Sequence, residues 1–568
     1  MRCTMMGTPD MIFGYKGNMI FGYKEKQVRD AADSPDLTHA LKDAPHVAEV
    51  YRIGGRRFSN CSMPEAIEAR ERIAGEKLDW SYKDQNYVCG LGTMESSRLS
   101  TPSGNNPTLS RAYFRRFSMP IMTAGRVADP LQPKKALPAM RLCIVNEFFY
   151  PDSGGGTGTV LSDLVRSLRE IDSEMEIDVV TSTNLYRQMQ KNLPAFEDWN
   201  GVKIHRVATP HPNGLSIPQR LGANLLFCVK ALAKLSVMPA YDVILLGTAP
   251  PMIALAADVL KRLKGTPFVY IVYDLEPDRS VTLKMLSSRH PVARIFRQGQ
   301  RRWLHAAAKV VVLGEYMGEQ LSRTYGVPAQ RIEAIPIGSD PAEIVPGPKS
   351  SRFRAAHSLS GFIVLYSGNF GRYHNFDTIL DAAAHLRESH SEISFVLVGN
   401  GAQKSHLVHR IQTEGLSNVR LFDFVAKDAY ADLLASADVS LVTLEPGMEG
   451  LCVPSKFYSI LASGRPVVAT VSPKSEVARV IDEAMVGVHM DQTDTGQLVS
   501  ALISLAEDPA WTEQMGRSAR RVLEEKYSAA QVARRYYDVL RAVVMNESTM
   551  KEHAEQTAPA TVASQSCD

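Results

Sequence analysis

The stretch GLCVPSKFYSILASGRPVVAT, Gly450 to Thr470, decides the reading of this chain. Apolar residues at Phe457, Ile460 and Leu461 recur at helical spacing, Gly464 is placed to stop the helix, and Val467-Val468-Ala469 reads as a buried strand. Pro454 suits the first helical position, where its missing N–H has no partner to lose. Lys456 is out of place in such a first turn, because the helix dipole concentrates partial positive charge there. An anion at that end reverses the balance, since free amides and an ammonium converge on it. Ser455 and Lys456 therefore read as a diphosphate clamp, with a solvated surface lysine as the alternative.

Outward from this stretch, short apolar strands alternate with amphipathic helices from Met140 onward. One series offers strands at Leu142–Val145, Ile177–Thr181, Val243–Leu246, Phe268–Val272 and Val310–Leu313. A second offers Phe362–Tyr366, Ser394–Val398, Val419–Phe422, Val439–Val442 and Val467–Thr470. Between them, Val160, Leu161, Leu164, Val165 and Leu168 share one helical face, and Phe376, Ile379, Leu380, Ala383 and Leu386 another. Strand, glycine loop and helix in repetition predict an α/β chain with two Rossmann-like, doubly wound domains facing a cleft. The expected divisions are an N-terminal extension at 1–138, poorly ordered or accessory, a first domain at 139–345 and a second at 346–530. A closing helix at 531–546 and a disordered tail at 547–568 complete the scheme. EIVPGPKSS, Glu343 to Ser351, is the expected linker. The extension repeats MIFGYK at Met11 and Met19 and is otherwise mixed and polar.

Composition narrows the function. A chain of 568 residues exceeds one ordinary core, and 45% hydrophobic with 22% charged residues is ordinary for a globular protein. A net charge of +3 gives no footprint for nucleic acid. Seven cysteines without a C-x-x-C pair argue against structural zinc or a disulfide framework and for a reducing cytoplasm. No window is apolar for long enough to span a membrane, and the first residues lack the apolar core of a signal peptide.

Four loops offer chemistry. SGGGTGT, Ser153 to Thr159, opens a helix and lets amides approach a phosphate, or is a plain tight turn. LYSGNFGRYHN, Leu365 to Asn375, is the matching loop of the second domain, where Gly368 and Gly371 bracket Asn369 ahead of Arg372. Asn369 and Arg372 suit phosphate or ribose oxygens. VYDLEPDRS exposes Asp274, Glu276 and Asp278 beyond a strand; Asp274 suits a sugar hydroxyl or helix capping equally, and capping is favoured for the other two. Phe422, Phe424 and Val425 end another strand, where Phe424 can stack on a nucleobase while Phe422 suits the core. His211, His305 and His374 form no catalytic spacing.

NEFFYPDSGGGTGT, VYDLEPD, YSGNFGRYHNFDTILDAA, FVLVGNGAQ and VPSKFYSILASGRPVVAT, in that order, make the chain from Met140 to about Val544 resemble the family 4 GT-B retaining glycosyltransferases. The likeness is to the bacterial exopolysaccharide, capsule and O-antigen subgroup. It implies a nucleotide-sugar donor, UDP- or GDP-linked, in the second domain, and a glycan or lipid-linked glycan acceptor in the first. It further implies no metal and no cofactor, and a place in the cytoplasm or peripheral on the inner leaflet. Asn369 and Lys456 would then lie at the donor diphosphate, with Gly155 and Gly156 approaching from the other domain. The paired glutamates of many members would fall at Leu451 and Ser459, so Glu449 is the nearest candidate for the reaction-centre carboxylate, beside Asp274 and Lys456. Asn369 and His374 replace a loop arginine and lysine common elsewhere. A nucleotide-sugar epimerase and a non-catalytic sugar-nucleotide-binding subunit are the alternatives. Two basic amphipathic segments, Ile217–Leu235 and Arg294–His305 with Trp303, suit either anionic lipid or the core.

Overall fold

The computed structural model describes residues 139–152, 156–185, 193–211 and 215–557, together with five short strands nearer the N-terminus. Residues Met1–Pro130 cluster as one compact unit and Leu131–Asp568 as another. In the first, the repeated MIFGYK motif supplies strands β1 (Met11–Phe13) and β2 (Met19–Tyr23), which pair antiparallel with Met11 opposite Phe21. Strands β3 (Glu49–Ile53) and β4 (Arg56–Cys61) form a second antiparallel pair, and β5 (Val88–Leu91) joins β2. The remainder of the expected extension at 1–138 lies outside the described residues.

The second unit holds two parallel sheets. The first contains β6 (Arg141–Val145), β7 (Glu176–Ser182), β8 (Phe196–Trp199), β9 (Val202–Val207), β10 (Val243–Leu246), β11 (Phe268–Val272), β12 (Lys309–Val312) and β13 (Ile332–Ala334). Their order is β13-β12-β11-β10-β6-β7-β9-β8, parallel except for the edge strand β8. The second contains β14 (Phe362–Ser367), β15 (Ile393–Val398), β16 (Val419–Phe422), β17 (Val439–Thr443), β18 (Val467–Thr470) and β19 (Gly487–Met490), all parallel, in the order β16-β15-β14-β17-β18-β19.

Helices cover both faces of such sheets, so the strands are apolar throughout rather than alternating. Leu142, Cys143, Ile144 and Val145 are all fully buried, as are Val467, Val468 and Ala469. Each large aliphatic side chain so buried contributes about 1.5–3 kcal/mol. Chain order reverses at β6, which lies between β7 and β10, and at β14, which lies between β15 and β17. The crevices beyond the carboxyl ends of these strands are where open α/β sheets take ligands.

The sequence reading finds ten of these strands and misses β8, β9, β13 and β19. The β8–β9 hairpin had a signal: Asn200-Gly201 forms its two-residue turn, both with positive φ (53° and 81°), as a primed turn requires. Strands β13 and β19 are short edge strands with partly polar sequences, legible only from their neighbours. Pro454 does not begin the helix. Ser455 is the N-cap and Lys456 the first helical residue, because the first turn closes tightly, with Phe457 N–H donating to Pro454 C=O. Gly464 ends it, with φ 66°.

The two halves of this unit interlock. Asp274 and Cys452 form an antiparallel bridge, and Leu275 N–H donates to Leu451 C=O at 2.9 Å. The linker is pinned by Arg520, which donates to the carbonyls of Pro341 and Ile344, and by Arg465 on Gly347. The final helix, Ala529–Thr557, extends well into the stretch expected as a polar tail, and 558–568 lies outside the described residues. Earlier in this helix the inner face, including Ala533, Tyr536 and Leu540, is buried against the first half. There Arg541 donates to Asp172 at 2.8 Å and Tyr537 to the same oxygen at 3.1 Å, with the Arg541–Asp172 side chains only 12% and 14% exposed. Breaking a buried pair leaves a charge unpaired. Asp172→Ala is therefore expected to lower stability by about 2–4 kcal/mol, read by denaturant unfolding, and to make the final helix the first site of proteolysis.

Candidate active site

The decisive side chain is Lys456. Its Nζ is sealed from solvent and has no hydrogen-bond partner among the described residues. It lies 3.6 Å from the centroid of the Tyr366 ring, at the end of β14. Burial alone holds this ammonium well below its ordinary pKa. Packing against an aromatic face recovers a part of the lost hydration and no hydrogen bond. The solvated alternative is thus excluded by geometry.

The loop after β14 is built around this lysine. A Cβ on Gly368 would stand 3.0 Å from Lys456 Cε and 3.2 Å from Nζ, and φ at Gly368 is 147°, so only glycine lets the ammonium approach. Asn369 is half-buried beside it, and its carbonyl accepts from Tyr366 Oη at 2.8 Å. The GNGAQ segment braces the loop from β15. Gly399 lies so close that a Cβ there would fall 1.9 Å from the Gly368 carbonyl oxygen. Gln403 Nε2 donates to the carbonyls of Gly371 and His374 at 2.7 and 2.8 Å. The sequence reading quoted GNGAQ and assigned it no role.

His374 closes the crevice between β14 and β17. Its Nδ1 donates to the carbonyl of Thr443, at the end of β17, over 2.7 Å. Its ring meets the Tyr366 ring edge-on, with centroids 5.8 Å apart. Burial first, then the charge of Lys456, push its pKa well below the ordinary value, against the bond to Thr443. The ring is accordingly neutral when the site is empty.

The other expected residues are less closely gathered. Ser455 is exposed at the helix N-cap and makes no side-chain cap. Arg372 is exposed on its loop, and Phe424 is 36% exposed just past β16. Glu449 accepts from Gln492 Nε2 at 2.7 Å, on the loop that leads to Lys456. Asp274 pairs with Arg279 at 2.6 Å; burial raises its pKa, Arg279 lowers it and Glu276 raises it again. Glu276 accepts from the Ser280 N–H and hydroxyl and pairs with Arg279, close to the capping expected of it, whereas Asp278 instead pairs with Arg297 and accepts from Tyr325. Phe422 packs on Phe353 and His357. Gly156, with φ 79°, is the N-cap of the helix Thr157–Ile171, and Gly155 lies outside the described residues. Trp303, by contrast, is a core residue at 6% exposure and offers nothing to a lipid surface.

Two family models match the chain: Glycosyl transferase 4-like domain over residues 155–338, and Glycosyl transferases group 1 over 349–522. The chain is a family 4 glycosyltransferase. Its two parallel sheets are those of the GT-B fold. The protein named "Probable glycosyltransferase WbjE" of Pseudomonas aeruginosa is 26% identical over 296 residues, 50% of this chain and 71% of that one. WcaI of Escherichia coli (strain K12), named for colanic acid biosynthesis, is 28% identical over 230 residues, 39% of this chain and 56% of that one. Among solved structures, sucrose-phosphate synthase of Thermosynechococcus elongatus superposes with a TM-score of 0.59 at 17% identity, covering 72% of this chain and all of that one. HepE of Anabaena, solved with UDP and glucose, gives 0.55 at 15% identity, covering 71% of this chain and all of that one.

One residue of this glycosyltransferase escaped the sequence reading. Glu147 lies two residues past the end of β6, at the reversal point of the first sheet, and is 5% exposed. Its neighbour Asn146 donates to Phe148 C=O and Thr157, while Asn146 Oδ1 is buried without a partner. Burial raises the Glu147 carboxyl from 4.5 to about 7, with Arg220 opposing. The only available signal was a carboxylate two residues beyond an apolar strand. Between pH 4.5 and about 7 the unfolded chain ionises this group and the folded chain resists, so stability falls as pH rises through that window. Glu147→Gln is expected to stabilise the protein by about 1–3 kcal/mol above that window and by nothing below it, read from melting curves across the pH range.

Proposed function

We propose that this glycosyltransferase moves a sugar from a UDP- or GDP-sugar to a glycan or lipid-linked glycan in surface polysaccharide biosynthesis, with retention at the anomeric carbon. The buried, unpartnered ammonium of Lys456 carries the reading. Desolvating a cation without a partner is costly, and a diphosphate in the β14–β17 crevice supplies the missing charge and acceptors. The UDP-bound HepE structures and the names of WbjE and WcaI support the donor class and the polysaccharide role.

In this reading the donor lies over the Gly368–Asn369 loop, with Ser455, Asn369 and Arg372 toward the phosphates and Phe424 toward the base. Gly156 approaches from the first half. The bond from the anomeric carbon to the diphosphate breaks, and the acceptor hydroxyl attacks from the same face. Its proton passes to the departing phosphate oxygen. Lys456 stabilises the negative charge that grows there, which is electrostatic catalysis and requires no metal. Asp274 and Glu449 lie at the junction of the two halves, where they orient acceptor hydroxyls.

An acceptor on a lipid calls for a membrane surface. Among the described residues no helix is long and apolar enough to cross a membrane. The helix Ile217–Val237 exposes Leu221, Leu225, Leu226 and Val229, beside the exposed Arg220, and this face supports docking on the anionic cytoplasmic leaflet.

The central test is Lys456→Ala, assayed with UDP-glucose and GDP-mannose plus membrane extract in excess EDTA. The wild type is expected to be active there. The variant should melt no lower than the wild type, because an unpaired buried cation is gone. Its turnover should fall by roughly ten- to a thousandfold, with partial rescue by Lys456→Arg. Unchanged rates would take the donor site away from Lys456. Turnover of donor without acceptor would favour the epimerase, and binding without turnover a non-catalytic subunit. For docking, Leu225→Ser is expected to reduce cosedimentation with phosphatidylglycerol vesicles several-fold; equal sedimentation refutes this face.

A further inference from the structure

Lys456 and His374 lie against the same ring. Lys456 Nζ covers the face of Tyr366, and His374 meets its edge. Two groups able to carry positive charge thus meet on one ring, and the charge of the first disfavours protonation of the second. His374 is held in one tautomer. A carbonyl oxygen can only accept, so Nδ1 carries the proton donated to Thr443, and Nε2 presents a lone pair. Nε2 makes no hydrogen bond among the described residues and, unlike Lys456 Nζ, is not among the polar atoms fully shut off from solvent, so a proton can reach it.

Among the described residues around the ring, no unpaired carboxylate offers a compensating charge. Tyr366 and Tyr430 are neutral phenols whose pKa values burial raises further. The Tyr430 hydroxyl is shared with Ser367 and Ser459. Tyr373 stacks at a tilt on His374 itself. Asp377, three residues along, is occupied by His406 and Arg410. Glu445 beyond β17 is pushed toward its neutral form, by burial first and then by Asp377.

We propose that the donor's diphosphate is bound together with a proton, taken up from solvent by His374 Nε2, so that His374 and Lys456 become a cationic pair around the anion. This rests on the donor reading above and extends it to a ring that the reading leaves without a role. The balance is simple. The empty site holds His374 neutral with Nδ1–H on Thr443. An entering diphosphate brings negative charge, a proton joins Nε2, and the new N–H donates to a phosphate oxygen. No bond other than N–H forms. When the diphosphate leaves, the proton leaves with it or returns to water. Donor affinity therefore carries a pH dependence of its own. Protonation of the ring is favoured in the complex, so binding is strongest at low pH and weakens as pH rises through the value that His374 takes in the complex.

The test is calorimetric titration of the full chain with UDP-glucose and GDP-mannose, diphosphate diesters with no proton of their own titrating near neutrality. Repeating it in buffers of different ionisation enthalpy counts the protons taken up. Uptake approaching one proton is expected, with affinity falling by up to about tenfold per pH unit as the ring titrates. His374→Gln keeps a donor for the Thr443 carbonyl and should abolish the ring's uptake and bind several-fold more weakly near neutral pH. Lys456→Arg, whose cation does not titrate, should retain uptake, which separates the ring from the lysine. Binding of either probe with heat independent of buffer, or uptake lost in Lys456→Arg and kept in His374→Gln, overturns the proton-coupled pair while leaving the donor reading intact. Failure of both probes to bind overturns the two together.

Discussion

One ammonium pressed against one aromatic face organises the second half of this enzyme. Lys456 Nζ stands over Tyr366 with no oxygen to receive its protons. That contact exists because Gly368 has no Cβ to block it, and because Gly399 lets the β14 loop sink onto the β15 loop. A fold selected for stability alone has no use for an unpaired buried cation, which costs free energy until an anion arrives. The enzyme is therefore strained electrostatically at this point, and in the reading proposed above an anionic diphosphate relieves the strain.

The same logic appears with the opposite sign across the molecule. Glu147 lies at the reversal point of the first sheet as Lys456 lies near that of the second, and burial drives both toward their neutral forms. Open α/β sheets leave a crevice at these points because neighbouring helices depart to opposite faces. Polar residues there are half-excluded from water without being packed by helices. Fully paired charges lie elsewhere: Arg541–Asp172 ties the final helix to the first half, and Arg297–Asp278 joins two helices within that half.

The junction between the halves combines backbone and side-chain ties. Asp274 is bridged to Cys452 through the main chain, Glu476 caps the helix that begins at Glu315, and the last helix returns to Asp172. The segment from Glu449 to Lys456 runs through this junction. The loop that delivers the lysine is thus tied by its backbone to the first half.

The sequence by itself determined the architecture, because a buried parallel strand must be continuously apolar and a helix must repeat its apolar face. Ten of fourteen strands of the two sheets and the helical faces at Leu161 and Ile379 are readable on those grounds. It also singled out Lys456, since a cation in a first helical turn violates a local rule. What it could not contain is partnership. Trp303 in a basic amphipathic helix reads equally as lipid anchor or core, and packing made it core. Asp274 reads equally as free carboxylate or structural group, and the fold gave it Arg279. His374 has no catalytic spacing along the chain, because its partners Thr443, Tyr366 and Lys456 come from three separate elements that only the sheet order brings together. Local periodicity is a property of neighbours in sequence; desolvation and charge depend on neighbours in space, and those are decided by the tertiary fold.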